Sequence, residues 1–183
     1  GLNCEYKAIP DQSNNSQCTF KPVNEVVKYI DDSEISIYGY YPFIEGQSDA
    51  GALEISIPSI QSQTAGTDNL SKTAVFKADP MTVKTSELDG QDVNLTFRSV
   101  FPVLELSVTL TDSDIDVPLK EIRFSSASGA ALAYPEATLD LKSTDIKITP
   151  VTQSSEIILS LDSNGKLKND LAAKFYIVMA PGQ

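Results

Sequence analysis

The dominant period along the chain is two. Leu53, Ile55 and Ile57 alternate with Glu54, Ser56 and Pro58, and Val93, Leu95 and Phe97 alternate with Asn94, Thr96 and Arg98. Leu104, Leu106, Val108 and Leu110 alternate with Glu105, Ser107, Thr109 and Thr111. The scheme returns at Leu139 and Leu141, at Ile146 and Ile148, at Ile157, Leu159 and Leu161, and at Phe175, Ile177 and Met179. Such alternation turns one row of side chains to a core and the other to water, the habit of half-buried antiparallel strands. Turn signals separate the runs: Pro80-Met81, Asp89-Gly90, Ser128-Gly129 and Asn164-Gly165. Short strands punctuated this densely predict an all-β antiparallel sandwich or barrel with little helix.

Local pairings follow from the same signals. Asn164-Gly165 suits a type I′ turn between residues 157–161 and 175–179, with a longer connection through residues 167–171 as the alternative. A solvated turn would join residues 104–110 to residues 119–124. Helical periodicity is weak, and residues 23–30 and 170–174 are the only places for a turn or two. Residues 9–17 and 61–69 are polar without an apolar period and read as loops. The final Pro181-Gly182 pair follows an apolar run and reads as a turn out of a strand, and so as a domain boundary.

Composition narrows the function classes. The chain has 183 residues, enough to bury a core without a disulfide scaffold. Lys and Arg number 14 against 25 Asp and Glu, a net charge of −11. Such a surface repels phosphate backbones, which argues against nucleic acid as a partner. There is no His, which removes Ser-His-Asp and Cys-His catalysis and most zinc sites. No run of 18 apolar residues is present, and the opening Gly-Leu-Asn-Cys lacks a basic-then-apolar leader. No nucleotide or nucleophile-elbow motif is present, so no cofactor is expected.

Candidate chemistry is sparse. Cys4 and Cys18 flank a short loop and are either bridged or free thiols. Asp112, Asp114 and Asp116 place carboxylates at every second position, a weak Ca²⁺ pattern lacking the glycine and distal Glu of an EF-hand; a solvated turn accounts for it as well. Ser163-Asn164-Gly165-Lys166 reads literally as SxxK, but its centre is turn chemistry and companion motifs are missing. Paired carboxylates for glycoside hydrolysis meet only in three dimensions and stay open. Tyr38, Tyr40, Tyr41 and Phe43 are concentrated around Gly39 and Pro42. They are either an aromatic contact surface for sugars or a partner, or a core strand with Tyr38 and Tyr40 facing one way and Tyr41 the other.

Several segments, taken in order, resemble fimbrillin-like proteins, the type V pilin subunits of anaerobic Gram-negative bacteria. Phe20-Lys21-Pro22, Val27-Lys28-Tyr29 and residues 34–43 resemble the family's opening. Ile57-Pro58-Ser59-Ile60-Gln61 matches its I-P-x-x-Q strand, and Asp79-Pro80-Met81 its D-x-M segment. Residues 93–97 and 104–108, Ile122-Arg123-Phe124 with Gly129, and residues 176–181 continue the order over nearly all of residues 20–181. One departure is Arg98-Ser99-Val100-Phe101-Pro102, where many members carry a His.

The resemblance implies a transthyretin-like, Greek-key sandwich over residues 20–183, the first domain of a longer two-domain subunit, after a mobile N-terminal strand or loop segment over residues 1–19. It implies export through the periplasm to the outer membrane and cell surface, with a lipid on Cys4 as the only membrane contact, although Asn3 is a poor residue before a lipidated Cys. The partners it implies are other pilus subunits, joined by strand exchange after removal of an N-terminal strand, and host or bacterial surface receptors. Arg98 and Arg123 are the only arginines, so no Arg-directed cut falls within residues 1–30; either a different protease uses Lys7, Lys21 or Lys28, or the subunit is not processed in this way. The expectation is therefore a non-enzymatic fimbrial subunit or adhesin, with a surface glycan-binding module as the alternative.

Overall fold

The computed structural model describes residues 3–14, 16–24, 33–64, 73–87, 93–111, 117–161, 166–168 and 171–181. The chain opens with a hairpin, β1 (Tyr6–Pro10) and β2 (Cys18–Pro22). Then come β3 (Glu34–Ile37), β4 (Tyr40–Tyr41), β5 (Leu53–Ile57), β6 (Ile60–Gln63), β7 (Phe76–Ala78) and β8 (Met81–Lys84). The middle of the chain supplies β9 (Phe97–Ser99), β10 (Val103–Val108), β11 (Val117–Pro118) and β12 (Glu121–Ser125). The last strands are β13 (Ala133–Asp140), β14 (Lys147–Ser154), β15 (Glu156–Leu161), β16 (Lys166–Leu167) and β17 (Ala173–Val178). Among the described residues, helix is confined to the 3-10 turn Thr85–Glu87.

The predicted all-β sandwich is present. One layer is the antiparallel sheet β14–β13–β5; facing it are the sheet β12–β15–β6 and the pair β10–β17. Period-two patterning explains why they close on one another. Leu53, Ile55 and Ile57 from β5 and Ala133, Ala137 and Leu139 from β13 turn inward. They meet Ile157 and Leu159 from β15 and Phe175, Ile177 and Val178 from β17 in one core cluster. Burying a side chain of this kind stabilises by roughly 1.5–3 kcal/mol, so this cluster is the main favourable term for the layers. Smaller sheets, β4–β7–β9, β3–β8 and β11–β16, lie beside them.

Several local expectations fail, each because a distant partner matches better. Residues 104–110 do not pair with residues 119–124; β10 pairs β17 and β12 pairs β15. The register sets Leu104 opposite Ile177 and Leu106 opposite Phe175, aligning the apolar phases of strands far apart in sequence. Nor does β15 pair β17; Lys166 and Leu167 form β16 against β11, so the longer connection is the one used. The turn at Asn164-Gly165 itself lies outside the described residues, as do residues 25–30 of one proposed helical turn. The other fails where it is described: Leu171 is in a β-bridge with Lys168 and Ala173 begins β17.

The segment read as a loop from residue 61 is instead strand β6 as far as Gln63. Its alternation is inverted, with Gln61 and Gln63 buried and Ile60 exposed. The Gln61 side chain donates to Val178 O at 2.7 Å and accepts from Val178 N at 3.0 Å. Gln63 donates to Lys174 O at 3.1 Å and accepts from Tyr176 N at 2.9 Å. Each side-chain amide thus stands in for a strand residue and closes the second edge of β17 onto β6. Buried peptide groups require such partners, and these two polar residues supply them.

Candidate functional site

The N-terminal hairpin stands apart from both layers. Among the described residues β1 pairs only β2, through five register pairs from Tyr6↔Pro22 to Pro10↔Cys18, and every residue of both strands is exposed. The sequence explains the turn that joins them. Asp11 Oδ1 accepts from Ser13 N and Ser13 Oγ, both at 2.7 Å, and Asn14 Oδ1 accepts from Ser16 N and Ser16 Oγ. These side chains fold the polar loop back on itself. The Ser13 bonds also hold the Asp11 carboxyl below its ordinary value.

The register sorts the hairpin into two faces. Tyr6, Ala8 and Pro10 share one with Pro22, Phe20 and Cys18; Lys7 and Lys21 lie opposite each other on the second. Phe20 meets Phe97 of β9 with ring centroids 5.5 Å apart, yet Tyr6 stays 46% and Phe20 41% exposed. The apolar face is therefore only partly covered. Just ahead of β1, Asn3 Nδ2 donates to Ile44 O at 2.9 Å, and Asn3 Oδ1 lies 2.9 Å from the Tyr40 hydroxyl.

The bridge considered between Cys4 and Cys18 is not formed, and both thiols are free and exposed. The hairpin register gives the reason. Cys18 lies opposite Pro10, six residues along from Cys4, a span of roughly 20 Å at strand rise. A disulfide requires Cα atoms within about 7 Å. Asp112, Asp114 and Asp116 lie outside the described residues. Among the described residues no group of three Cys, Asp or Glu is arranged to hold a metal.

The aromatic cluster divides. β3 ends at Ile37 and β4 holds only Tyr40 and Tyr41, so the expected continuous strand is broken at Tyr38-Gly39. A Cβ at Gly39 would lie 3.0 Å from Phe97 Cζ and 3.1 Å from Ala78 Cβ, so β9 and β7 pack directly over the backbone there. Tyr38 and Tyr40 are half-buried against the core. Tyr41 is 43% and Phe43 37% exposed, on the other side of the chain. Tyr41 also rests on Phe76, centroids 6.2 Å apart and planes at 56°. Tyr40 and Tyr41 thus face opposite ways, the alternation of the strand reading, with Tyr41 and Phe43 toward solvent.

Beside Tyr41 the surface is concave. A cavity of about 190 Å³ is lined by Tyr40, Tyr41, Pro42 and Ile44, by residues 53, 55 and 56 of β5, and by residues 73–75, and most of this lining is apolar. β5 is the outer strand of its sheet at this point. Among the described residues no Asp or Glu lines the cavity, and so they do not supply there the carboxylate pair of a glycosidase.

A different residue, invisible to the period-two reading, ties the small sheet to the large layer. Lys77 of β7 is fully buried, and its ammonium donates to the carbonyls of Asp140, Ser143 and Asp145. Burial, and then the nearby Arg98 charge, push its pKa below the ordinary lysine value, against the pull of Asp140, Asp79 and Asp145. Arg98 donates to Thr144 O and pairs with Asp79 at 2.5 Å. Two cations thus gather the carbonyls of the β13–β14 connection.

No family model matches this chain, and no curated protein matches it. Among solved structures it is similar to a Bacteroides uniformis protein, described as a candidate cell adhesion protein, with a TM-score of 0.54 and 16% sequence identity. The match covers 94% of this chain and 60% of the other, so this chain spans about three fifths of that protein's length. At this identity the likeness establishes a shared fold.

Proposed function

We propose that the chain is a non-enzymatic, adhesive subunit of a bacterial cell-surface fimbrium that joins its neighbours by exchange of β-strands. The observation that carries this reading is the isolation of β1. Among the described residues it has a single ladder partner, and all five of its residues are exposed. Detaching it would remove no ladder hydrogen bond from either layer, while leaving both edges of β2 unpaired among the described residues. An unpaired edge beside an apolar face accepts an extended segment of another chain, main-chain bonds giving affinity and alternate side chains giving register. Phe20, already resting on Phe97, would anchor that register. The fold shared with a candidate adhesion protein supports a place at the cell surface. The exposed Cys4 thiol is open to the lipid that the fimbrillin resemblance implies. Host or bacterial surface receptors remain the partners of the assembled polymer.

The test is a chain lacking residues 1–12, melted with and without a synthetic peptide of residues 5–11. Strand exchange predicts that the truncated chain stays folded, self-associates, and gains melting temperature with peptide concentration as a ligand-stabilised state must. A truncated chain that stays monomeric and ignores the peptide contradicts the proposal.

A further inference from the structure

We propose that the cavity beside Tyr41 binds one non-anionic hexopyranose ring of a surface glycan. The inference is independent of strand exchange, because the cavity lies wholly within one copy of the chain and uses neither β1 nor β2.

Size comes first. At about 190 Å³ the space is below the roughly 300–1,000 Å³ of pockets for drug-sized ligands, and suits a single ring. Surface chemistry comes second. A pyranose has an apolar face of C–H groups and an edge of hydroxyls. Tyr41 offers an exposed aromatic face, set in place by Phe76. Tyr40 beside it is held by Asn3 and the Ile44 carbonyl, its hydroxyl 3.2 Å from that oxygen. Rings fixed in advance lose little freedom on binding, which favours a weakly held sugar. Ser56 and Thr73 also line the cavity, and a hydroxyl can both donate and accept, as sugar hydroxyls require.

Charge comes third and narrows the class. Glu54 stands two residues before Ser56 on the same exposed face of β5, and the whole chain carries −11. Sialylated or sulfated sugars would enter against that field, whereas neutral and amino sugars would not. An apolar side chain of an extended peptide is the competing occupant, since β5 is an edge strand. The hydroxyls and the solvent-facing tyrosine favour the sugar.

The test is an amide NMR titration of the full chain with the methyl glycosides of glucose, galactose, mannose and glucosamine, with sialic acid and an apolar pentapeptide as comparison arms. The inference predicts saturable shifts at Tyr41, Ser56 and Thr73 for at least one non-anionic sugar, with Kd on the order of 1 mM. It also predicts no response to sialic acid. Tyr41→Ala should weaken binding by up to about tenfold, the value of one aromatic contact. Ser56→Ala changes only an exposed hydroxyl and should weaken binding without moving the melting temperature, which keeps the test valid if the tyrosine variant misfolds. Silence toward every sugar, equal binding of sialic acid, saturation by the peptide alone, or Ser56→Ala and a folded Tyr41→Ala both binding like the parent would overturn the inference.

Discussion

Gln61 gives the sharpest quantitative test of how the sandwich closes. Its amide makes two bonds to Val178, at 2.7 and 3.0 Å, and a third to Pro58 O at 3.2 Å. Val178 is 1% exposed, so water does not replace these partners at no cost. Gln61→Leu keeps most of the volume and removes every bond. It leaves one buried N–H and one buried C=O unpaired, each worth about 1–3 kcal/mol, so a loss of about 2–6 kcal/mol is expected. For a domain of this size that is a fall of roughly 4–24 °C in melting temperature. Gln61→Glu separates donor from acceptor. A carboxylate keeps the bond from Val178 N but loses the donor to Val178 O and buries a charge. Its folded pKa should rise above the unfolded value, so its stability is fullest below the unfolded pKa and is lost as pH rises through the folded one. Chemical denaturation of both variants between pH 4 and 8 reads this directly. Gln47→Leu is the control, because its bonds to Glu54 are 3.4 Å long and exposed. If Gln61→Leu costs no more than that control, side-chain closure of the β17 edge is wrong.

Other perturbations probe separate parts of the account. Lys77→Met should destabilise by about 2–4 kcal/mol, since three carbonyls lose their donor, and should speed hydrogen exchange in residues 140–145. Gly39→Ala pushes a methyl to 3.0 Å from Phe97 and should cost about 1–3 kcal/mol by overpacking, measured by urea denaturation. Glu105 is held below its ordinary pKa of 4.5 by the Lys174 ammonium at 2.8 Å and by Tyr176. A carboxyl with a depressed folded pKa adds stability above the unfolded value and loses it as pH falls through the folded one, so Glu105→Gln should flatten the acid limb of the stability profile. NMR titration of the Glu105 carboxyl checks the direction without unfolding the protein.

How far the fold was legible depended on which way the alternation ran. Where apolar residues face inward, as in Leu53–Ile57 and Glu156–Leu161, period two located the strand and its buried face. At Gln61 and Gln63 polar side chains face inward because they replace a backbone ladder, so pattern reading took the strand for a loop. Lys77 escaped notice because its partners are main-chain carbonyls some 65 residues away, for which no side-chain spacing is a signal. Pairing was the least legible level. The local turn at Asn164-Gly165 suggested a hairpin, but β10 and β17 match their apolar phases across the chain. Residues 93–97 alternate well, yet only Phe97 enters a strand, and Leu95 packs instead beside Gly39. Of the aromatic cluster, parity set Tyr41 opposite Tyr40 but did not say which of the two faces outward. The cavity beside it was not foreseeable, because Ser56 and Thr73 come to it from other parts of the chain.

The central claim is that β1 is a detachable strand on a body that holds without it. Native-state hydrogen exchange of the intact chain, resolved by residue, measures this most directly. The account predicts that amides of Tyr6–Pro10 exchange through a local opening while those of Glu156–Leu161 and Ala173–Val178 stay protected up to global unfolding. Protection of β1 equal to that of β15, lost only when the whole sandwich unfolds, would contradict it.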